Sequence, residues 1–208
     1  MGYLKVLDHP LIDHKMAIIR NKNTGAKEFR ESVCEIGMLL TYELSKTFKS
    51  VPVEVETPME KTTCYVLEKP VVIVPILRAG LGMVEGIHTI IPQAKIGHIG
   101  LYRDEKTFEP VWYFCKLPPN ITEAAVLVVD PMLATGGSAS VTISMLKEKG
   151  VTDIRFIGIV GCPEGVKRLA TDHPDVAIYL AAMDSHLNED AYIVPGLGDC
   201  GDRLFGTK

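Results

Sequence analysis

Val126-Leu127-Val128-Val129-Asp130-Pro131-Met132-Leu133-Ala134-Thr135-Gly136-Gly137-Ser138-Ala139-Ser140 carries an apolar run, an acid and a glycine-rich turn in direct succession. The run Ala124 to Val129 is short and rich in valine, the composition of a central parallel strand buried on both faces. Beyond the turn, Val141, Met145 and Leu146 carry helical spacing. The turn thus joins the carboxyl end of a strand to the amino end of a helix. Ligands of open α/β sheets collect there, because loop N–H groups and the positive end of the helix dipole point at one spot. Gly136 and Gly137 let the backbone approach an anion, Thr135 and Ser138 add hydroxyls, and Asp130 is placed to face ribose hydroxyls or a metal. The same residues also read as an ordinary strand-to-helix turn with Thr or Ser capping the helix.

Working outward, strands and helices alternate. Strands are expected at Val71 to Ile76, Lys95 to Leu101, Ala124 to Asp130, Ile154 to Val160 and Val176 to Ala181. Helices are expected at Leu81 to Ile91, Gly137 to Lys149 and Glu164 to Ala170. That rhythm predicts a parallel sheet flanked by helices. Towards the N-terminus, Phe29, Val33, Ile36, Leu40, Leu44 and Phe48 recur at steps of three and four, which predicts an amphipathic helix over Lys27 to Phe48. Val51 to Glu56 and Thr62 to Leu67, separated by Pro58, read as a strand pair projecting from the main sheet and available for subunit contact. Two segments break the alternation. Tyr102 to Pro119 mixes Arg103, Asp104, Glu105, Lys106 and Glu109 with Trp112, Tyr113 and Phe114, and its length predicts a functional loop or strand-forming flap. The tail, Asp184 to Lys208, is glycine-rich without helical period and reads as a compact, lid-like loop region.

A second constellation, Pro75-Ile76-Leu77-Arg78-Ala79-Gly80, also ends a strand and begins a helix. An arginine in such a loop can grip a diphosphate with its bidentate fork, or it can simply pair with an acid. Arg103, at the end of another expected strand, is open to the same two readings. Together with the Asp130 turn they would put two cations and an anion-binding nest on one sheet edge. Gly196-Leu197-Gly198-Asp199-Cys200-Gly201 matches the dinucleotide-binding G-x-G-x-x-G spacing, but it does not follow the first strand of a βαβ unit. Walker A, H-E-x-x-H and G-x-S-x-G patterns are absent.

The 208 residues, 47% hydrophobic, suffice for one sizeable core, so a single domain over 1–208 is expected. A formal charge of −4 and a pI near 5.9 provide no general field for a nucleic-acid polymer. The five cysteines are scattered, with no metal or redox spacing, which fits free thiols in a reducing cytoplasm. The N-terminus lacks an apolar signal core, and no run approaches the ~20 apolar residues of a membrane helix.

The chain resembles the bacterial-type uracil phosphoribosyltransferase family over nearly its whole length. The resemblance is carried by Val74 to Met83, Tyr102-Arg103-Asp104, Glu109-Pro110, Val129 to Ser138 and Tyr192 to Arg203, in that order. It implies a type I phosphoribosyltransferase fold with a projecting β-arm and a small C-terminal hood at 184–208. It also implies transfer from 5-phospho-α-D-ribose 1-diphosphate (PRPP) to N1 of uracil, giving UMP and diphosphate. On that resemblance Asp130, Pro131, Met132, Leu133, Ala134, Thr135, Gly136, Gly137 and Ser138 hold the ribose 5-phosphate end of PRPP. Arg78 and Arg103 address its diphosphate, and Asp199 reaches the donor or its magnesium. Arg78, Arg103, Asp130 and Asp199 form the catalytic set, while Ile193, Gly198, Asp199 and Cys200 contact uracil. Many relatives in the wider superfamily carry two adjacent acids before the phosphate loop. Here Pro131 follows Asp130, so Mg2+ is expected to be held mainly by donor and water, with Asp199 as the candidate protein ligand. Cys200 stands where bacterial members usually carry alanine. A homodimer or larger homo-oligomer is implied, and in some members a response to GTP. Transfer to another base, or a non-catalytic PRPP sensor that binds RNA, are the competing readings.

Overall fold

A computed structural model describes residues 3–103 and 110–207, with the side chains of residues 102, 103, 110 and 111 outside that description. In chain order the elements are β1 (Leu4–Val6), α1 (Pro10–Arg20), α2 (Ala26–Ser45), β2 (Ser50–Glu56), β3 (Lys61–Leu67), β4 (Val71–Leu77), α3 (Leu81–Ile90), β5 (Lys95–Ile96), β6 (His98–Arg103) and β7 (Pro110–Lys116). There follow β8 (Ala125–Val129), β9 (Met132–Leu133), α4 (Gly137–Glu148), β10 (Ile154–Gly161), α5 (Pro163–Asp172), β11 (Ala177–Met183), β12 (His186–Leu187), β13 (Ile193–Val194) and α6 (Cys200–Phe205). The main sheet runs β1-β11-β10-β8-β4-β6-β7, parallel except for β7, which returns antiparallel to β6.

The central strands are apolar at almost every position because both faces are covered. In β4, Val71 and Ile73 enter one core layer while Val72, Val74 and Ile76 enter the other. In β8, Leu127 and Val129 are divided from Val126 and Val128 in the same way. This is the period of two expected of a strand packed on both sides. The first layer is closed by Ile12 of α1, Phe29 and Ile36 of α2, and Met83 and Ile87 of α3. The second is closed by Ile143 and Leu146 of α4 and by Leu169 of α5. The chain therefore leaves β4 towards one face and leaves its neighbour β8 towards the other. Where neighbouring connections diverge in this manner, a crevice opens at the carboxyl ends of the strands.

Three elements differ from the sequence expectations. The helix expected over Lys27 to Phe48 ends at Ser45. The chain then turns tightly, Thr47 and Phe48 donating to the carbonyls of Leu44 and Ser45. Phe48 continues the apolar pattern because it still packs on the core, although it is no longer helical. The tail is not all loop: it contains α6, whose six residues are too few to display a period. Helix α1 lies outside every expected element. Pro10 opens it and His9 caps it, accepting from the Leu11 N–H at 3.1 Å. The Tyr102 to Pro119 segment, expected as a functional loop or a strand-forming flap, contributes the paired strand β7. Asp104, Glu105, Lys106 and Glu109 lie outside the described residues.

The projecting strand pair is present as the β2–β3 hairpin, in register from Ser50 opposite Leu67 to Glu56 opposite Lys61. Both strands are exposed along nearly their full length. Among the described residues no helix is long and apolar enough to cross a membrane.

Candidate active site

The loop after β8 is built for an anion. Gly136 takes a left-handed conformation (φ 76°) at the N-cap of α4, where it has no side chain to cap the helix, and Thr135 just before it accepts the Gly137 N–H through Oγ1 at 3.4 Å. Glycine, not Thr or Ser, therefore occupies the cap position, and Thr135 bonds the helix start from one residue before it. Residues Asp130 and Met132 to Ala139 line a hollow of about 90 Å³, about the size of a phosphate group rather than of a whole nucleotide. Larger hollows, about 290 and 460 Å³, lie at the amino ends of the strands around Asp153 and Arg155, away from this chemistry. The loop is pressed against α5. A Cβ on Gly165 would stand 2.3 Å from the Ala134 carbonyl oxygen, and one on Gly136 would stand 2.8 Å from that of Gly165. Asp130 is half-buried at the head of the loop, its Oδ1 accepting from the Met132 N–H at 3.3 Å. Burial raises its carboxyl to about 7, with the Met132 N–H pulling weakly the other way.

Sequence reasoning missed one cation beside this loop. The Nη1 of Arg168, on α5, lies 3.3 Å from where a Cβ of Gly137 would sit. Asp172, one turn further along α5, faces its Nε at 3.7 Å and also accepts from Ser140 in the first turn of α4 at 2.6 Å. No motif announces Arg168, because only the packing of α5 against the loop puts it there.

The loop after β4 meets the Asp130 loop directly. A Cβ on Gly80 would be 2.5 Å from the Val129 carbonyl oxygen, so only glycine permits this approach. Arg78 projects from the same loop, and the Leu77–Arg78 peptide is cis. Its guanidinium is largely exposed, 3.4 Å from Asp202 and 5.8 Å from the Phe205 ring centre. The acid-paired reading of Arg78 is thus realised, but through a long contact in which the arginine itself stays largely in solvent. Arg103 ends β6, the neighbour of β4, in a register that sets Gly100 opposite Leu77. Its backbone therefore lies on the same sheet edge, while its side chain lies outside the described residues.

The hood closes the third side. Asp199 caps α6, its Oδ1 accepting from the Asp202 N–H at 2.9 Å. A Cβ on Gly201 would lie 3.3 Å from that oxygen and 3.8 Å from Arg78 Nη2, so both side chains border Gly201. Cys200 is buried in the core with Ile193, Leu197 and Leu204. Burial pushes its thiol far up, and the charges of Asp130 and Asp199 add to the shift, which ties the hood to the Asp130 loop. The side chains of Ile193 and Cys200 are thus committed to packing, leaving their backbones to meet a ligand. Gly198 is exposed, with φ 79° and no atom closer than 3.8 Å to its Cβ position. Its glycine is required by conformation, not by crowding.

Asp130, Arg78, Asp199 and the 193–200 backbone therefore converge on the crevice between β4 and β8. Among the described residues no three His, Cys, Asp or Glu side chains gather as metal ligands. The carboxylates at the crevice fit a magnesium ion carried chiefly by phosphate oxygens and water, with one or two protein oxygens.

A family model described as uracil phosphoribosyltransferase matches residues 6–207. Relatives named uracil phosphoribosyltransferase include one from Acholeplasma laidlawii, 68% identical over 208 residues, and one from Lactiplantibacillus plantarum, 59% identical over 209 residues; each comparison covers 100% of both chains. A solved protein from Aquifex aeolicus superposes with a TM-score of 0.92 at 37% identity, covering 99% of each chain. The adenine phosphoribosyl transferase of Trypanosoma brucei, 13% identical, shares the fold with a TM-score of 0.60, covering 88% of this chain and 84% of its own. A crevice between diverging loops, a glycine-capped helix start and a backbone hood thus coincide with full-length identity to named relatives, and the chain belongs to the uracil phosphoribosyltransferase family.

Proposed function

We propose that this chain transfers the phosphoribosyl group of PRPP to N1 of uracil, releasing UMP and diphosphate. The observation that carries the reading is the convergence of a glycine-rich loop, Arg78 and an exposed backbone turn on one crevice. The α4 end takes the 5-phosphate, and Asp130 accepts the ribose hydroxyls. Arg78 and Arg103 are assigned to the diphosphate. The Arg78–Asp202 contact is long and half in water, worth at most about 1 kcal/mol, so the diphosphate displaces it readily.

As diphosphate leaves, it gathers negative charge while the ribose carbon gains cationic character. Groups already in place for that charge accelerate the step, and no covalent nucleophile is required. Magnesium, when bound, neutralises part of the diphosphate and holds its oxygens in one arrangement. Asp199 and Asp130 are the carboxylates that would hold it. Arg168 supplies a cation to the 5-phosphate end, exposed enough to be screened by salt. Uracil is read by the backbone of 193 and 198–200. The 184–208 segment acts as hood within one domain spanning 1–208.

The arm supports a homodimer. Val51, Val53, Val55, Met59 and Tyr65 are exposed on a two-stranded hairpin, and Met59 is 91% accessible. Such a hairpin is marginal alone and its apolar surface needs a cover, which a second copy provides. Five unpaired cysteines fit a cytoplasmic protein. The test is formation of UMP and diphosphate from purified protein, uracil, PRPP and magnesium, with another base, RNA binding and added GTP as separate arms. Donor binding without product would defeat the enzymatic reading.

A further inference from the structure

The proposed uracil site uses backbone groups, so no side-chain rotamer can correct a misplaced turn. What holds the turn must then set its accuracy. Gly196, buried with φ 62°, sits at its centre, and a Cβ there would stand 2.1 Å from the Ile193 carbonyl oxygen. Both polar groups of Gly196 are gripped by one ion pair. Its N–H donates to Asp184 Oδ2 at 2.8 Å, and its carbonyl accepts from Arg20 Nη1 at 2.8 Å. Arg20 and Asp184 are themselves joined by two hydrogen bonds, at 2.6 and 2.8 Å.

The anchors are rigid. Arg20 is the last residue of α1. Asp184, only 4% exposed at its side chain, follows β11 and donates its N–H to the Gly161 carbonyl of the central sheet at 2.8 Å. A buried ion pair is a poor way to gain stability, since apolar residues of like size do as well or better. Its directional bonds do fix orientation. We propose that Arg20 and Asp184 are positioning residues for base recognition: they touch no substrate, and they set where the 193–200 backbone presents its donors and acceptors.

The inference rests on the reading of 193–200 as the base site, so the experiment separates the two. Asp184→Asn keeps the size and one acceptor but removes the charge that pairs with Arg20. Arg20→Lys keeps the charge and loses the fork, and serves as the milder variant. Gly198→Val reports independently on the turn. The measurements are KM for uracil, KM for PRPP, the uracil-to-cytosine ratio of kcat/KM, and thermal unfolding. Asp184→Asn is expected to raise KM for uracil by about 10-fold or more and to lower the uracil-to-cytosine ratio, with KM for PRPP within about twofold. Arg20→Lys should do the same to a smaller extent. Equal changes in both KM values, an unchanged ratio, or failure of both variants to fold would assign the pair a purely structural role and overturn the proposal. If Gly198→Val also leaves uracil kinetics untouched, the base-site reading falls with it; if only Gly198→Val responds, that reading stands and the positioning role falls.

Discussion

The glycine-rich loop after β8 and the C-terminal hood are both proposed to meet a ligand with backbone, yet they are held by different means. The loop at 130–138 lies between the end of β8 and the start of α4 with a left-handed glycine at its turn, and it is braced by backbone: β10 pairs with it through Pro131 and Leu133, and α5 presses on it at Gly165. The hood turn is held by charged side chains, two from the hood itself, Asp184 and Arg203, and one, Arg20, from the other end of the chain. Arg20 grips it across 164 residues to Asp184 and 176 to Gly196, and Arg203 donates to Leu197 and back to α1 at Ile19 and Asn21. Arg203 also lies over the Phe29 ring, 4.2 Å from its centre. An anion needs only converging N–H groups, which a local motif can supply. A base needs an ordered row of donors and acceptors, and the hood draws that order from the tertiary structure.

If the hood reads its ligand by backbone alone, uracil should be preferred to cytosine by about 10⁴ in kcat/KM, since the wrong pattern leaves buried groups unpaired. Cys200→Ala should keep that ratio while losing about 1 kcal/mol of stability, because its thiol packs in the core. Comparable rates for the two bases, or a ratio that collapses in Cys200→Ala, would break the contrast between packing side chains and reading backbone.

On the loop side, Asp130→Asn should cost on the order of 10³ in turnover with the fold intact. The sign of its titration sharpens the test. With the carboxyl raised to about 7, the folded empty protein holds a proton that the unfolded chain has lost between about pH 4 and 7. Stability therefore falls as pH rises through that window, and above it stays low, so Asp130→Asn should unfold a few degrees higher at pH 8. Only the ionised group can accept two ribose hydroxyls, so PRPP binding near pH 7 should release a proton. Calorimetry in buffers of different ionisation enthalpy measures it. No release in the wild type, or the same release in Asp130→Asn, would count against the role.

Arg78→Ala should lower kcat/KM for PRPP by about 10², roughly 3 kcal/mol, with partial recovery in Arg78→Lys. The smallest effect falls on Arg168. Its replacement by Ala should raise KM for PRPP by about threefold to tenfold at low salt and less at high salt, as an exposed cation near a helix start would. Salt-independent loss, or none, would remove Arg168 from the phosphate loop.

The sequence by itself determined the parallel α/β sheet and the projecting hairpin, and it pointed to Asp130 to Ser138 and Arg78 as the candidate site on neighbouring strand ends. Each follows from interactions within a few residues: alternation along a strand, periodicity along a helix, glycine at a strand-to-helix turn. It misread features whose cause is short or distant. Six residues of α6 are too few for a period, and Asp199 drew attention as a ligand while also serving as the cap of that helix. Phe48 kept the helical pattern because the core it packs on does not require a helix. Only the tertiary structure decided that Arg168 overlies Gly137, that Asp130 is buried enough to titrate near 7, and that Arg20 and Asp184 close on Gly196. The physical reason is common to all three: burial and ion pairing depend on which distant segments the folded chain brings together, and neither leaves a periodic trace along the sequence.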